Sequence, residues 1–111
     1  MTRYIYLLEC EFPDKSLYKI GISNKVERRV KQLQTGNPYQ IKLLLKFKTP
    51  YAFKIEAALH REHKIDNVNG EWFDIDISNV ENRINTLHKG FDFLLKNDND
   101  YFKKEFDKLK T

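Results

Sequence analysis

One carboxylate and two imidazoles lie among apolar residues on one face of a helix predicted over residues 50–65. At about 100° per residue, the side chains that fall within roughly 60° of one direction are Ala52, Phe53, Glu56, Leu59, His60 and His63. Removing a carboxylate from water is unfavourable unless a cation or hydrogen-bond donors meet it. Because Mg²⁺ typically binds one or two carboxylates and fills its shell with water and phosphate oxygens, it suits Glu56. The structural alternative is an ion pair of Glu56 with Arg29 or Lys19.

The two histidines of this face do not form a known zinc motif. The zinc-protease signature has histidines four residues apart with a glutamate directly after the first. Here they are three residues apart, with Arg61 and Glu62 between them. We therefore expect His60 to face phosphate or to support the site from behind. We expect His63 to be a hydrogen-bonded packing residue.

An arginine on an earlier predicted helix, residues 25–35, offers a phosphate contact. The apolar stripe of this helix is Val26, Val30 and Leu33. Arg29 lies beside that stripe, about 60° from Val26, whereas Arg28 points nearly opposite, towards water. A guanidinium held against the fold can bind a phosphate with two parallel hydrogen bonds. Alternatively, the aliphatic part of Arg29 covers apolar neighbours.

Two strands predicted at residues 3–10 and 17–23 bring a lysine and a glycine into one hairpin. Side chains alternate along a strand, so Tyr6 shares a face of the first strand with Tyr4, which we expect in the core or at its rim. Lys19 and Gly21 share a face of the second strand. A lysine within a short apolar strand is unexpected unless its amine reaches a partner. At a glycine, another group or a ligand can approach the backbone.

The order of the elements predicts an α+β fold. Two strands, a helix, a third strand at residues 41–48, a second helix, a short extended segment at residues 71–75 and two final helices imply a small mixed sheet flanked by helices. We expect residues 1–77 to form the core and residues 78–111 to form C-terminal helices packed on it, within one domain. The last helix, residues 98–110, has a packing stripe, Phe102, Phe106 and Leu109.

Composition is that of a globular protein with a small basic excess. The chain has 111 residues, of which 32% are charged and 14% aromatic, and a formal net charge of +4. Residues 1–75 hold 13 basic and 9 acidic side chains, and residues 76–111 hold 7 of each. This distribution suits a surface that binds a polyanion, although an excess of four is also ordinary for a solvated protein.

Cysteine usage and the start of the chain predict an intracellular setting. Cys10 is the only cysteine, which excludes an intramolecular disulfide. The first residues lack the organisation of a signal peptide, and no apolar run is long enough to span a membrane. We therefore expect a cytoplasmic or nuclear location, without secretion or membrane insertion.

Five segments of the chain match a known family when taken together in order. They are YIYLLEC, LYKIGIS, VERRVKQLQTGNP, IEAALH and GEWFDI. From about Arg3 to Ile75 the chain resembles the GIY-YIG nuclease superfamily. It is most similar to the variant branch with KIG and GEWF motifs, found in phage open reading frames and meiotically up-regulated gene type proteins. The resemblance implies a three-stranded mixed sheet flanked by helices, and divalent-metal-dependent hydrolysis of a DNA phosphodiester.

The resemblance assigns roles to individual positions. Tyr6 matches the first tyrosine of the family, Gly21 its glycine, Arg29 its arginine and Glu56 its metal-binding glutamate. His60 matches a histidine usual in this branch. The implied cofactor is one Mg²⁺ or Mn²⁺ at Glu56. Arginines of this kind stabilise charge that accumulates on the phosphoryl oxygens.

Two departures from the family pattern concern the hairpin. Tyr4 stands where the first motif has glycine, and Lys19 stands where the second motif has tyrosine. Tyr18 lies on the wrong strand face to replace that tyrosine. The KIG form is typical of this branch, but it leaves the identity of the general base open. Lys19 either contacts phosphate or acts as the base, and the second role needs burial or nearby cations to lower its pKa.

Three functions remain in competition. The first is a single-metal DNA endonuclease in which Tyr6 orients or deprotonates water and Arg28 lies where the substrate backbone approaches. The second is a nucleic-acid-binding module on the same fold that has lost turnover. The third is a protein-interaction domain whose helices over residues 78–110 dock onto a partner. Since a chain this short holds no separate recognition domain, a homodimer or a protein partner could supply specificity for DNA.

Overall fold

A computed structural model describes residues 2–69 and 72–110, with side chains described for residues 2–68 and 72–96. Gly70 and Glu71 of the GEWFDI segment lie outside the described residues. The elements in chain order are β1 (Arg3–Glu11), β2 (Ser16–Ser23), α1 (Val26–Gln34), β3 (Ile41–Thr49), α2 (Ala52–Glu62), a 3₁₀ turn (Lys64–Asp66), β4 (Asn67–Asn69), β5 (Trp72–Phe73), a second 3₁₀ turn (Ile77–Asn79) and α3 (Val80–Lys110). The predicted α+β class is confirmed.

The sheet differs from the predicted one in strand number and direction. It has five strands in the order β3-β1-β2-β5-β4, and every pairing is antiparallel. The prediction of a three-stranded mixed sheet is therefore wrong. The connection through α1 returns β3 beside β1, to which it is antiparallel, and not beside β2. The short strands β4 and β5 then extend the sheet at the edge of β2.

Helices cover both faces of the sheet, and the strand residues alternate between the two cores. On the α1 face the buried residues are Tyr6, Leu8, Cys10, Val26 and Ile41. On the face covered by α2 and α3 they are Ile5, Leu7, Ile20, Tyr51, Ile55, Leu59, Phe73, Ile75, Val80 and Ile84. Each apolar side chain that leaves water here contributes about 1.5–3 kcal/mol to folding. The alternation predicted for the hairpin is confirmed.

A β-bulge interrupts the alternation along β3. Leu7 pairs with Leu45, but the next residue, Leu8, pairs with Leu43, so Leu44 is an extra residue on β3. Residues directly opposite each other in an antiparallel pair point to the same face of a sheet. Leu43 therefore lies on the α1 face and Leu45 on the α2 face, as their neighbours in the two cores show. The side chains of β3 that follow the bulge therefore point to the face opposite to the one that they would occupy in an uninterrupted strand.

One helix, α3, replaces the two C-terminal helices that were predicted. The junction of the two predicted helices, at Asn97 and Asp98, holds residues that are only modest helix formers, but no Gly or Pro that would end a helix. The first part of α3 packs on the core. Val80 and Ile84 are buried there, and Asp92 accepts a hydrogen bond of 2.8 Å from the Tyr51 hydroxyl. The predicted stripe over residues 102–109 lies outside the described side chains.

Helix boundaries shift at two further places. The predicted helix over residues 50–65 is shorter, because Thr49 ends β3 with its hydroxyl bound to the amide of Tyr51 at 3.0 Å. The C-terminal helix begins at Val80 and not at residue 78. A 3₁₀ turn precedes it, in which Asp76 Oδ1 accepts a hydrogen bond of 3.0 Å from the Ser78 amide. A search of the described helices finds none with the length and apolarity needed to cross a membrane.

We predict that Ile84→Ala lowers the free energy of unfolding by about 2–5 kcal/mol, because it leaves a cavity where α3 meets the sheet. Urea denaturation measures this change. Leu95→Ala, at a half-exposed position further along α3, is the control and should change stability little. Equal effects of the two substitutions would show that α3 does not pack on the core as described.

Candidate functional site

Tyr6 and Gly21 form the centre of the candidate site. They are direct partners in the pairing of β1 with β2, and Tyr6 is only 2% exposed. The ring of Tyr6 crosses over the glycine so closely that an added Cβ would lie 2.4 Å from both the Cζ atom and the hydroxyl oxygen of Tyr6. Any side chain at position 21 would displace this phenol. The glycine is therefore required by the tyrosine beside it, as its place on the strand predicted.

Lys19 lies on the same face of the sheet, two residues before Gly21 on β2. It pairs with Leu8 of β1 and with Trp72 of β5, and it is 5% exposed. Burial lowers the pKa of its amine, and the nearby Arg29 guanidinium lowers it further, whereas Glu56 acts in the opposite direction. A lowered pKa is the condition that the sequence analysis set for Lys19 to act as a general base. Trp72 packs against the apolar core of this face.

Arg29 reaches this centre from α1. Its side chain is largely exposed, but its guanidinium is within hydrogen-bonding reach of the Tyr6 hydroxyl and interacts electrostatically with Lys19. Burial raises the pKa of Tyr6, and Glu56 adds to that rise, while the hydrogen bond and the charge of Arg29 oppose it. Arg29 therefore lies against the body of the protein, as its helix position predicted.

Glu56, on α2, is the acidic residue of the candidate site. Its side chain is half-buried, and burial raises the pKa of the carboxyl, while His60 and Lys19 partly oppose the rise. Within the described part of the chain, the carboxylate makes no hydrogen bond or ion pair. The charge of Lys19 acts on Glu56, but the described residues show no direct ion pair of Glu56 with Arg29 or Lys19.

His60 fastens α2 to the edge of β2. Its Nε2 lies 2.9 Å from the carbonyl oxygen of Ile20, and because a carbonyl only accepts, Nε2 carries the proton. The described residues of β5 pair only with Tyr18 and Lys19, so this carbonyl lies just past the end of β5. The ring also lies 5.2 Å from that of Phe73. His60 thus acts as a positioning residue, and a contact of its ring with phosphate stays a prediction.

The contact of His60 explains how an acid on α2 meets groups on the other face of the sheet. Glu56 precedes His60 by one helical turn, so both side chains project in nearly the same direction. Since His60 meets the edge of β2 at Ile20, Glu56 lies beside the same edge. From there it interacts with Lys19 and Tyr6, on the α1 face.

Other predicted contributors lie apart from this group. Arg28 is exposed and has no electrostatic effect on Tyr6, Lys19 or Glu56. Phe53, expected on the inward face of α2, is 61% exposed, and the Arg3 guanidinium lies 5.1 Å from its ring centre. That expectation was wrong, because the buried face of α2 is centred on Ile55 and Leu59.

Around Glu56 the described residues offer fewer metal ligands than a zinc site needs. Among the described residues, no group of three or more His, Cys, Asp or Glu side chains could hold a metal ion. A structural zinc ion requires four protein ligands and a catalytic one usually three. Mg²⁺ or Mn²⁺ needs only one or two carboxylates when water and phosphate oxygens supply the remaining ligands. His63 is bound instead by Asp66, at 3.3 Å from its Nδ1.

One neighbour of the site was missed from the sequence. Lys46 lies directly opposite Tyr6 across the pairing of β1 with β3, and its Nζ is 5.2 Å from the ring centre of Tyr4. Strict alternation would have placed Lys46 on the other face of the sheet, together with Lys42. The bulge at Leu44 reverses this placement, and no Gly or Pro marks it in the sequence.

We predict that Gly21→Ala destabilises the protein by about 1–3 kcal/mol, because the new methyl group overlaps the Tyr6 ring. In a Tyr6→Leu background the same change should be milder, with a coupling energy of about 0.5–3 kcal/mol in a double-mutant cycle. Chemical denaturation of the four proteins measures it. Gly90→Ala, where an added Cβ meets nothing within 4 Å, is the control and should not destabilise. If Gly21→Ala lowers the free energy of unfolding equally in both backgrounds, the Tyr6 ring does not pack over Gly21 as described.

We predict that Glu56→Gln raises the melting temperature at pH 7. Because the carboxyl pKa is raised in the folded protein from its ordinary value of 4.5, the folded state binds the proton more tightly than the unfolded chain. Stability therefore falls as pH rises from that ordinary value through the raised one. A glutamine does not ionise, so its advantage should vanish below pH 4.5.

Glu62 on the same helix provides a control of opposite sign. A hydrogen bond from Arg83 lowers the pKa of its carboxyl, so its contribution to stability is present at neutral pH and is lost in acid. Glu62→Gln should therefore lower the melting temperature at pH 7. If both glutamine variants melt below the parent at pH 7, the ionised Glu56 carboxylate stabilises the fold as an ion-pair partner, which would contradict a raised pKa.

Comparison with known proteins finds a family whose model matches most of the chain. The family model described as the T5orf172 domain matches residues 3–88, which include every residue of the candidate site. Searches of curated proteins and of solved structures find no match. The T5orf172 domain family is associated with nuclease and DNA-binding functions. Because this match covers most of the chain, the chain belongs to the T5orf172 domain family.

Proposed function

We propose that the protein is a DNA endonuclease that hydrolyses phosphodiester bonds at a single-metal site of the GIY-YIG type. The observation that carries the proposal is the state of Glu56. Its carboxylate is half-buried, has a raised pKa and has no partner among the described residues, yet it interacts with Lys19 and Tyr6. Burying an acid in this way is unfavourable for folding, which is typical of a functional group.

Glu56 would hold one Mg²⁺ or Mn²⁺, and Tyr6, Lys19 and Arg29 would act on the substrate. When bound, such an ion neutralises phosphate charge and lowers the pKa of water. Arg29 donates hydrogen bonds to the phosphoryl oxygens as negative charge grows on them. The backbone of the DNA strand approaches beside Arg28, which is exposed on the same helix.

The opposite pKa shifts of Lys19 and Tyr6 support a division of roles between them. Burial raises the pKa of Tyr6, so its phenol keeps its proton and orients the attacking water by hydrogen bonding. Burial and Arg29 lower the pKa of Lys19, which makes its neutral amine more accessible. Lys19 takes the proton of the attacking water, the P–O bond to the sugar breaks, and the departing oxygen takes a proton from solvent. The lysine thereby serves where the wider superfamily has a tyrosine.

A nucleic-acid-binding module without turnover is the second candidate. The cations Lys19 and Arg29 would hold a phosphate whether or not a bond is cleaved. The uncompensated acid favours the enzyme, because a carboxylate beside a phosphate repels it unless a metal ion lies between them. A module that only binds would gain affinity from losing Glu56.

We predict that the protein nicks supercoiled plasmid with Mg²⁺ or Mn²⁺ and that Glu56→Ala and Arg29→Ala abolish this activity. Loss of the arginine should reduce the rate about 10³-fold or more, as for other arginines that stabilise phosphoryl charge. Lys19→Met should lower the maximal rate more than the affinity. Gel electrophoresis of the plasmid measures nicking, and circular dichroism verifies folding of each variant.

Arg61→Ala is the matched control, since Arg61 is an exposed helix arginine outside the site. It should retain the parent rate. Cleavage that is equal in the parent, Glu56→Ala and Arg29→Ala would reveal a contaminating nuclease. DNA binding without nicking, strengthened by Glu56→Ala, would support the second candidate.

A further inference from the structure

Two lysines on the edge strand lie beside the candidate site only because β3 is bulged. Past Leu44, Lys46 pairs with Tyr6 and Lys48 pairs with Tyr4. Each pair points to one face of the sheet, and the Tyr6 ring marks that face as the one covered by α1. Both lysines therefore lie on the side of the sheet that carries Gly21 and Lys19.

The cross-strand rows on this face lead from the site to the lysines. One row runs from Gly21 on β2 through Tyr6 to Lys46, and the adjacent row runs from Ser23 through Tyr4 to Lys48. Neighbouring strands are about 4.8 Å apart, and alternate residues along a strand are about 7 Å apart. Lys46 and Lys48 are thus neighbours on one face of β3, at the β3 end of these rows.

Lys46 and Lys48 are accessible to an extended anion. Both residues are exposed, and β3 is an edge strand, so no further strand covers them within the described sheet. Lys46 forms an ion pair of 2.6 Å with Glu27 on α1, but the side chains are 42% and 63% exposed. Exposed pairs of this kind contribute only about 0.2–1 kcal/mol, so a phosphate can replace the carboxylate.

We propose that Lys46 and Lys48 form a track for the phosphates of the DNA strand that enters the candidate site, with Glu27 competing for Lys46. This inference rests on the proposed function and adds to it the path of the substrate. Phosphate contacts of this type position a nucleic acid without reading its sequence. The track would hold the strand on the flank of the site opposite Trp72, because β3, which carries Lys46, and β5, which carries Trp72, lie on opposite sides of the β1–β2 pair.

Lys42 on the same strand provides a matched control. It lies before the bulge and pairs with Glu9, on the opposite face of the sheet. Its ion pair with Glu11 resembles that of Lys46 with Glu27, and its side chain is 47% exposed. Substitutions of Lys42 and Lys46 therefore remove the same charge and a similar ion pair from one strand, on different faces.

Binding of a labelled DNA duplex to the Glu56→Gln protein, without divalent metal, tests the track by fluorescence anisotropy over a range of salt concentrations. Lys46→Gln and Lys48→Gln should each weaken binding and lower the slope of log affinity against log salt by about 1. Lys42→Gln should change neither quantity appreciably. Glu27→Gln should strengthen binding, because it removes the acid that competes for Lys46. Thermal melting verifies that each variant is folded.

The outcomes separate the track from the proposed nuclease activity. Equal effects of the three lysine substitutions would overturn the track, even if the parent protein nicks plasmid. A fall in affinity for both Glu27→Gln and Lys46→Gln would also overturn it, because the ion pair would then act only in structure. Weaker binding by Lys46→Gln and Lys48→Gln alone would support the track, even if the parent cleaves nothing. Absence of DNA binding by every variant would overturn it.

Discussion

The crossing of Tyr6 over Gly21 is the constraint on which the rest of the site depends. The phenol fills the space that any side chain at position 21 would occupy. Because β1 and β2 are joined in a short antiparallel hairpin, this contact fixes the register that also places Lys19 beside Leu8. Arg29 then meets the phenol from α1. A slip of one residue would turn Lys19 to the other face, so the hairpin register and the site are one requirement.

Burial disfavours charge on three groups of the site. It raises the pKa of Tyr6 and Glu56 and lowers that of Lys19, so it favours the neutral form of all three groups. A divalent cation beside Glu56 and a phosphate beside Lys19 would favour the charged forms of these two groups by supplying opposite charges. Shifted pKa values of this kind are characteristic of functional sites, although ion-pair networks also produce them. Among the described residues Glu56 forms no ion pair, which favours the functional explanation.

Much of the hairpin and of α1 could be predicted because their side chains follow simple periods. Alternation placed Lys19 and Gly21 on one face of the second strand and Tyr6 with Tyr4 on one face of the first, and helical spacing placed Arg29 beside the buried stripe. Prediction failed where a long-range contact or an irregularity decides the outcome. The bulge at Leu44 has no local signal in the sequence, and it moves Lys46 to the site. Phe53 fits the helical period but is exposed, and the Arg3 guanidinium lies 5.1 Å from its ring centre.

Contacts at the open edge of β2 were equally beyond the sequence. The length of β5 decides that the Ile20 carbonyl accepts from His60, and two paired residues give little periodicity to detect. The continuity of α3 was also misjudged, because Asn and Asp weaken a helix without ending it. The family resemblance supplied the grouping of Tyr6, Arg29 and Glu56, which no local pattern could provide, since they lie on three different elements.

Paramagnetic broadening by Mn²⁺ in NMR spectra tests most directly whether these groups form one metal site. Unpaired electrons broaden the signals of nearby nuclei, so substoichiometric Mn²⁺ reports where the ion resides. The account predicts selective loss of the backbone amide signals of Glu56 and of Lys19 to Gly21, and retention of those signals in Glu56→Gln. Broadening centred on Glu62 and Asp76 instead, unchanged by Glu56→Gln, would contradict a metal site at Glu56.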